Sequence, residues 1–207
     1  MVKLGLPPPP GQLTRDPGHL LTLVETSPLW RIHRTQGKHP VSWNDLRYYG
    51  PVRGVRFDPH VPPPREQDRG VAYAAGDIVT PIAEVFQNTR KINPARDHPF
   101  LTMWHSTRRL ILLDLTGKWP IANGSSAVIT SGRKDFCQKW AAAIHTAWPD
   151  LDGLYTQSAM TNETCLVLFT HAADSFPDEP TYSLPLTHQA ILHLVASAAQ
   201  QIGYELL

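Results

Sequence analysis

The chain has 207 residues, enough for a sizeable core, and a prior of roughly 100–200 residues per domain points to one domain with decorations. Nineteen basic and eighteen acidic side chains leave a formal charge of +1, so no net field draws the chain to nucleic acid or an anionic membrane, and a small ligand is the better expectation. Cys137 and Cys165 match no CxxC or zinc spacing; read as buried apolar groups without a disulfide framework, they point to an intracellular setting.

The N-terminal stretch MVKLGLPPPPG lacks the apolar core of a signal peptide, and no window reaches the ~18 apolar residues of a membrane span, so a cytoplasmic location is expected. Residues 1–26, with the polyproline run Pro7 to Pro10, are expected to form an arm, loose or a rigid spacer, ahead of a domain over 27–207. Strands are predicted at LWRIHR (29–34), GVRF (54–57) and VAYAA (71–75), then at LILLDL (110–115), GLYTQS (153–158) and CLVLFTH (165–171). The proline-rich stretches HVPPPREQDRG (60–70) and SFPDEP (175–180) are predicted as irregular surface segments. Helices are predicted over 77–91 with Asp77 as cap, over 133–148, and over 187–202, capped by Thr187 and ended by Gly203. Helices do not alternate regularly with strands, so the expected class is α+β with a partly split sheet.

Common catalytic motifs are absent. TGK at 116–118 lacks the upstream glycine of a phosphate loop, no GxGxxG follows a strand, and there is no GxSxG elbow. His188 and His193 are five apart with no HExxH glutamate, so no metal site is expected from them. WNDLRYYGPVRGVRF is basic and aromatic, but its arginines are expected on a loop and a strand, and the neutral overall charge weakens a nucleic-acid reading.

Four polar residues remain as candidates. Two-residue alternation puts Arg31 on one strand face with Leu29 and His33, either aimed into a cleft or at an exposed edge. Tyr73 shares a face with Val71 and Ala75, with Ala72 and Ala74 behind it, as a core tyrosine also would. On the helix from 77, Ile78, Ile82, Val85 and Phe86 form the apolar stripe, which leaves Glu84 on the polar side as a solvated glutamate by periodicity alone. Ser158 ends a strand, where a serine commonly bonds its own backbone.

The ordered series LWRIHRT, GVRFDP, VAYAAGDIVTPIAEVF and GLYTQSA, carrying Arg31, Arg56, Tyr73, Glu84 and Ser158, resembles the RES-domain toxins, over about residues 27–171. The arginine, glutamate and serine that name that family match Arg31, Glu84 and Ser158, whereas a frequent Gly-Gly-Arg-aromatic-Asn appears here as Gly54, Val55, Arg56, Phe57 and Asp58. The resemblance implies a single α+β domain similar to the ADP-ribosyltransferases, with a split mixed or antiparallel sheet and flanking helices. It implies an enzyme that cleaves the nicotinamide–ribose bond of NAD, with phosphate or water as acceptor, no other cofactor and inorganic phosphate as co-substrate. Catalytic roles would fall to Arg31, Glu84 and Ser158, and substrate binding to Arg31, Arg56 and Tyr73. A helix-turn-helix antitoxin would cover the active site and supply the only link to nucleic acid. Two alternatives stand beside this: a mono-ADP-ribosyltransferase using the same pocket on a protein target, and a non-catalytic module that binds a partner through its proline runs and aromatic loop.

Overall fold

The computed structural model describes residues 5–207, so the first four positions of the expected arm lie outside the described residues. The first half of the chain contains β1 (Leu20–Leu23), β2 (Leu29–Arg34), β3 (Arg47–Gly50), β4 (Arg65–Ala75), α1 (Val79–Phe86), β5 (Lys91–Ile92) and β6 (Pro99–Trp104). It continues with β7 (Leu110–Asp114), α2 (Trp119–Ala122), α3 (Lys134–Ala147), β8 (Gly153–Gln157), β9 (Thr164–Phe169), β10 (Tyr182–Pro185), α4 (Gln189–Ile202) and β11 (Glu205–Leu206).

Nine strands form one mixed sheet in the order β1-β7-β8-β9-β4-β2-β6-β10, with β3 paired to β4 off that path. Only β7 and β8 run parallel within it. β2 and β4 share a single paired position, Trp30 with Ala75, whereas β2 pairs with β6 at six positions and β4 with β9 at five. The sheet is therefore one layer that splits almost completely between β2 and β4, as the α+β expectation required.

Alternation along β4 sends Val71 and Tyr73 to one face and Ala72 and Ala74 to the other. On the first face, Trp119 of α2 and Trp140 and Ile144 of α3 pack over Leu113, Leu154 and Val167. Beside them, Ile82 and Phe86 of α1 and Ile191 and Val195 of α4 cover Ile32 and Leu101 of the other half-sheet. The opposite face buries Leu29, Ala74, Trp104 and Leu112 beneath Trp43 and Phe176. The two helical layers part above the β2–β4 junction, and that gap is a cleft.

Several predicted elements differ from the fold. GVRF is no strand: Gly54 has φ +89° and Phe57 φ +54°, and the Asp58 carboxylate accepts the Val52 N–H at 2.7 Å, closing residues 52–58 into a loop. Residues 65–70 extend β4 instead of ending the proline loop, because Glu66 and Arg65 pair with Tyr49 and Gly50 of β3. The helix predicted over 77–91 ends at Phe86, where Arg90 turns back at φ +52° to bond the Phe86 carbonyl, and Lys91 pairs with Glu205. Asp77 does bond the first free N–H groups, those of Val79 and Thr80, both at 2.8 Å. The last helix is capped by the His188 side chain rather than Thr187, and Gly203 ends it in the left-handed region at φ +68°. Within the expected arm, β1 is the sheet edge paired with β7.

Candidate active site

The cleft encloses about 370 Å³. Its floor is a row of side chains set by strand register, Trp30–Ala75–Cys165–Thr156, in which each residue is the direct cross-strand partner of the next. The mid-row residues Ala75 and Cys165 are small, and the aromatic side chains of Trp30 and Tyr73 line the same cleft. All five residues named from the sequence, Arg31, Arg56, Tyr73, Glu84 and Ser158, line this one cleft although up to 127 positions separate them in the chain (158 − 31).

Glu84 lies on the polar side of α1, as periodicity required, but that side faces the cleft and the residue is half-buried. The apolar side, Ile82 and Phe86, is taken up by the core beneath α4. Ser158 Oγ donates to Glu84 Oε1 at 2.6 Å, and Gln87 Nε2 donates to Glu84 Oε2 at 3.2 Å. Ser158 does bond its own backbone, accepting the N–H groups of Met160 and Thr161 at 3.0 and 3.2 Å, and these two bonds aim its proton at the carboxylate. Both oxygens of Glu84 are thus held by side chains, so the carboxylate has a fixed direction.

Arg31 sits where the sheet opens between β2 and β4. Its Nη1 donates to the carbonyls of Trp43 and Asp45 at 2.7 and 3.0 Å, and burial pushes its pKa down to about 10, opposed by Asp45. The guanidinium remains a cation at neutral pH. Tyr73 donates from its hydroxyl to the Arg56 carbonyl at 3.1 Å, and burial pushes that phenol well above its usual range. Arg56 Nε reaches the Gly132 carbonyl at 3.3 Å, just before α3 begins.

Sequence reasoning missed Arg47 and Lys134, which bring the cations lining the cleft to four among the described residues, against one carboxylate, Glu84. No motif marks either, since Arg47 reaches the cleft only through the β3–β4 pairing and Lys134 only because α3 starts at its rim. Cys137 is buried as expected, but Cys165 lies on the cleft floor, where burial first and Glu84 second push its thiol up to about 12. It is protonated at neutral pH and offers no nucleophile.

A family model described as the RES domain matches residues 28–189. Comparison with curated proteins gives no match. Among solved structures, a chain in the crystal structure of the M. tuberculosis MbcT-MbcA toxin-antitoxin complex superposes with a TM-score of 0.55, covering 84% of this chain and 92% of that one at 18% identity. At that identity the likeness is one of fold. No helix among the described residues is long and apolar enough to cross a membrane.

Proposed function

Because this chain belongs to the RES domain family, we propose that it is the toxin of a toxin–antitoxin pair and that its cleft cleaves the nicotinamide–ribose bond of NAD. The observation that carries the reading is the oriented Glu84–Ser158 pair, 2.6 Å apart, in a cleft that Arg31, Arg47, Arg56 and Lys134 line together with Trp30 and Tyr73. NAD has matching parts: a flat nicotinamide, a ribose that becomes positive as the bond breaks, and a pyrophosphate.

In this reading the nicotinamide stacks on Tyr73 over the small floor residues. As the C1′–N bond lengthens, its electron pair passes to the nicotinamide nitrogen and positive charge develops on the ribose, as in other oxocarbenium-like transfers. The Glu84 carboxylate, held by Ser158 and Gln87, faces that charge and needs no reorganisation to stabilise it. Arg31 and Arg56 hold the pyrophosphate. A phosphate oxygen then bonds C1′ to give ADP-ribose phosphate, or water does so, losing a proton to give ADP-ribose.

Purified protein incubated with NAD, with and without inorganic phosphate, and analysed by mass spectrometry tests this. Nicotinamide release with ADP-ribose phosphate formed only when phosphate is present marks phosphorolysis, and ADP-ribose in both marks hydrolysis. Transfer of labelled ADP-ribose to a protein at the rate of nicotinamide release would favour a transferase instead. Folded protein that leaves NAD intact in both conditions would refute the reading. Uncontrolled NAD loss would kill the host, so a helix-turn-helix antitoxin covering the cleft belongs to the same proposal; the toxin–antitoxin assembly of the structural neighbour supports it. Co-expression with that inhibitor restores growth and yields a complex on this account, and a toxin that elutes alone would contradict it.

A further inference from the structure

Arg47 is held at the cleft by a buried charge that the chemistry above does not use. Its Nη2 donates to Asp58 Oδ2 at 3.0 Å and its Nη1 to the Tyr49 carbonyl. Asp58 is fully buried, 0% exposed, yet it also accepts the N–H groups of Val52 at 2.7 Å and His60 at 3.2 Å. His60 Nδ1 faces Asp58 Oδ1, and its Nε2 lies 2.8 Å from the Tyr48 carbonyl, so the ring bridges the carboxylate to β3. A buried carboxylate with this many donors is an expensive way to hold an exposed strand, and apolar side chains of like volume would stabilise it as well. Its distinct effect is on direction. The β3–β4 register shifts between Arg47 and Tyr49, an irregularity of the kind that re-aims side chains, and Asp58 fixes where Arg47 then points.

Other cations line the same cleft. The loop 52–58 is gripped by Gln138 of α3, which donates to the Val52 and Val55 carbonyls at 2.9 and 2.8 Å. It presents Arg56, while Gly54 leaves Lys134 Nζ 4.0 Å from the place a β-carbon would take. Arg47, Arg56 and Lys134 all line the cleft, and the one carboxylate lining it, Glu84, is bonded to Ser158 and Gln87.

We propose that Arg47 is a phosphate-binding residue of the cleft, aimed by the buried Asp58–His60 pair, and that with Arg56 and Lys134 it forms a phosphate subsite on the 52–58 loop. The ligand chemistry is a phosphate oxyanion, either in the pyrophosphate of NAD or in inorganic phosphate as acceptor. This rests on the NAD-cleaving reading, but the binding it asserts can be measured without turnover.

The test pairs kinetics with calorimetry. R47Q alone would strand a buried carboxylate, so the informative variants are R47K, which keeps the charge but loses the fork, and the double variant R47Q/D58N, which removes both charges. KM is measured for NAD at fixed phosphate and for phosphate at fixed NAD, and binding is measured with ADP-ribose and with inorganic phosphate as probes. The double variant is expected to fold, by circular dichroism and thermal melt, and to lose at least tenfold in one KM and in the matching probe's affinity, with R47K intermediate. A raised KM for NAD with weak ADP-ribose binding assigns the pyrophosphate; a raised KM for phosphate assigns the acceptor. D58N alone, retaining an unaimed Arg47, shows a smaller loss in the same KM, which a purely structural Asp58 would not produce. Wild-type KM values and probe affinities in the double variant would overturn the subsite. Absence of turnover in wild type with probe binding that depends on Arg47 would instead remove the NAD-cleaving reading and leave the subsite standing.

Discussion

Thr156 occupies the cleft floor with its side chain 2% exposed and its Oγ1 without a hydrogen-bond partner among the described residues. An unpaired buried hydroxyl costs roughly 1–3 kcal/mol, and an isosteric apolar replacement recovers part of it. Thr156→Val is therefore expected to stabilise the protein by about 1 kcal/mol, raising Tm by about 2–4 °C in thermal melts; a lower Tm would mean that the hydroxyl has a partner. At this scale the sequence was legible where a motif orders the residues: Arg31, Tyr73, Glu84 and Ser158 are recognisable by order and separation. It was not legible where the neighbour decides. Periodicity placed Glu84 on the polar side of α1 but could not say that Ser158, 74 positions on, would meet it there. Arg47 was visible only as one arginine of the basic, aromatic stretch 43–57, because its place in the cleft depends on a strand irregularity and on the burial of Asp58.

Between elements, one carboxylate joins the strands that carry the floor of the cleft. Asp152, just before β8, is 1% exposed and accepts from Arg108 at 2.8 and 3.0 Å, from the Ile111 N–H at 2.7 Å and from His171 Nδ1 at 2.8 Å. It thereby ties the turn before β7, β7 itself, β8 and the segment after β9. Burial raises its pKa, but the hydrogen bonds from Arg108, Ile111 and His171 outweigh that and hold it below the ordinary carboxylate value. A carboxylate with a depressed folded pKa contributes stability above its unfolded pKa of ~3.9 and loses it as pH falls from there through the folded value. Asp152→Asn is expected to cost about 2–3 kcal/mol at pH 7, less than a fully buried pair because the Arg108 side chain is 32% exposed. The gap from wild type should hold down to about pH 5 and narrow below about pH 4 in denaturant titrations. A gap that widened in acid would contradict the assignment. β9, with its continuous apolar run, and β2, with its two-residue alternation, were legible in the sequence. The polar residues 65–70 were not, since what makes them strand is the partner β3, whose own four residues carry no alternation.

For the whole molecule, a formal charge of +1 conceals a cleft lined, among the described residues, by Arg31, Arg56, Lys134 and an Arg47 paired with buried Asp58, against the Glu84 carboxylate. Composition averages over the surface, so it rightly gave no reason to expect a long-range field but could not reveal a local one. The split sheet was legible in outline from the irregular order of helices and strands. Its functional consequence was not, because the opening depends on β2 and β4 sharing one paired position. That opening admits Arg31 to the same recess as Glu84 and lets a single cleft hold a cation-lined rim and an oriented carboxylate. In the proposed reaction this carboxylate meets charge that exists only during bond cleavage. The most direct test is nicotinamide release by wild type and Glu84→Gln under saturating NAD, with NAD affinity measured in parallel. Turnover is expected to fall at least 100-fold, about 2.7 kcal/mol of transition-state stabilisation, with NAD affinity changed less than about threefold. Near-normal nicotinamide release by a folded Glu84→Gln protein would contradict it.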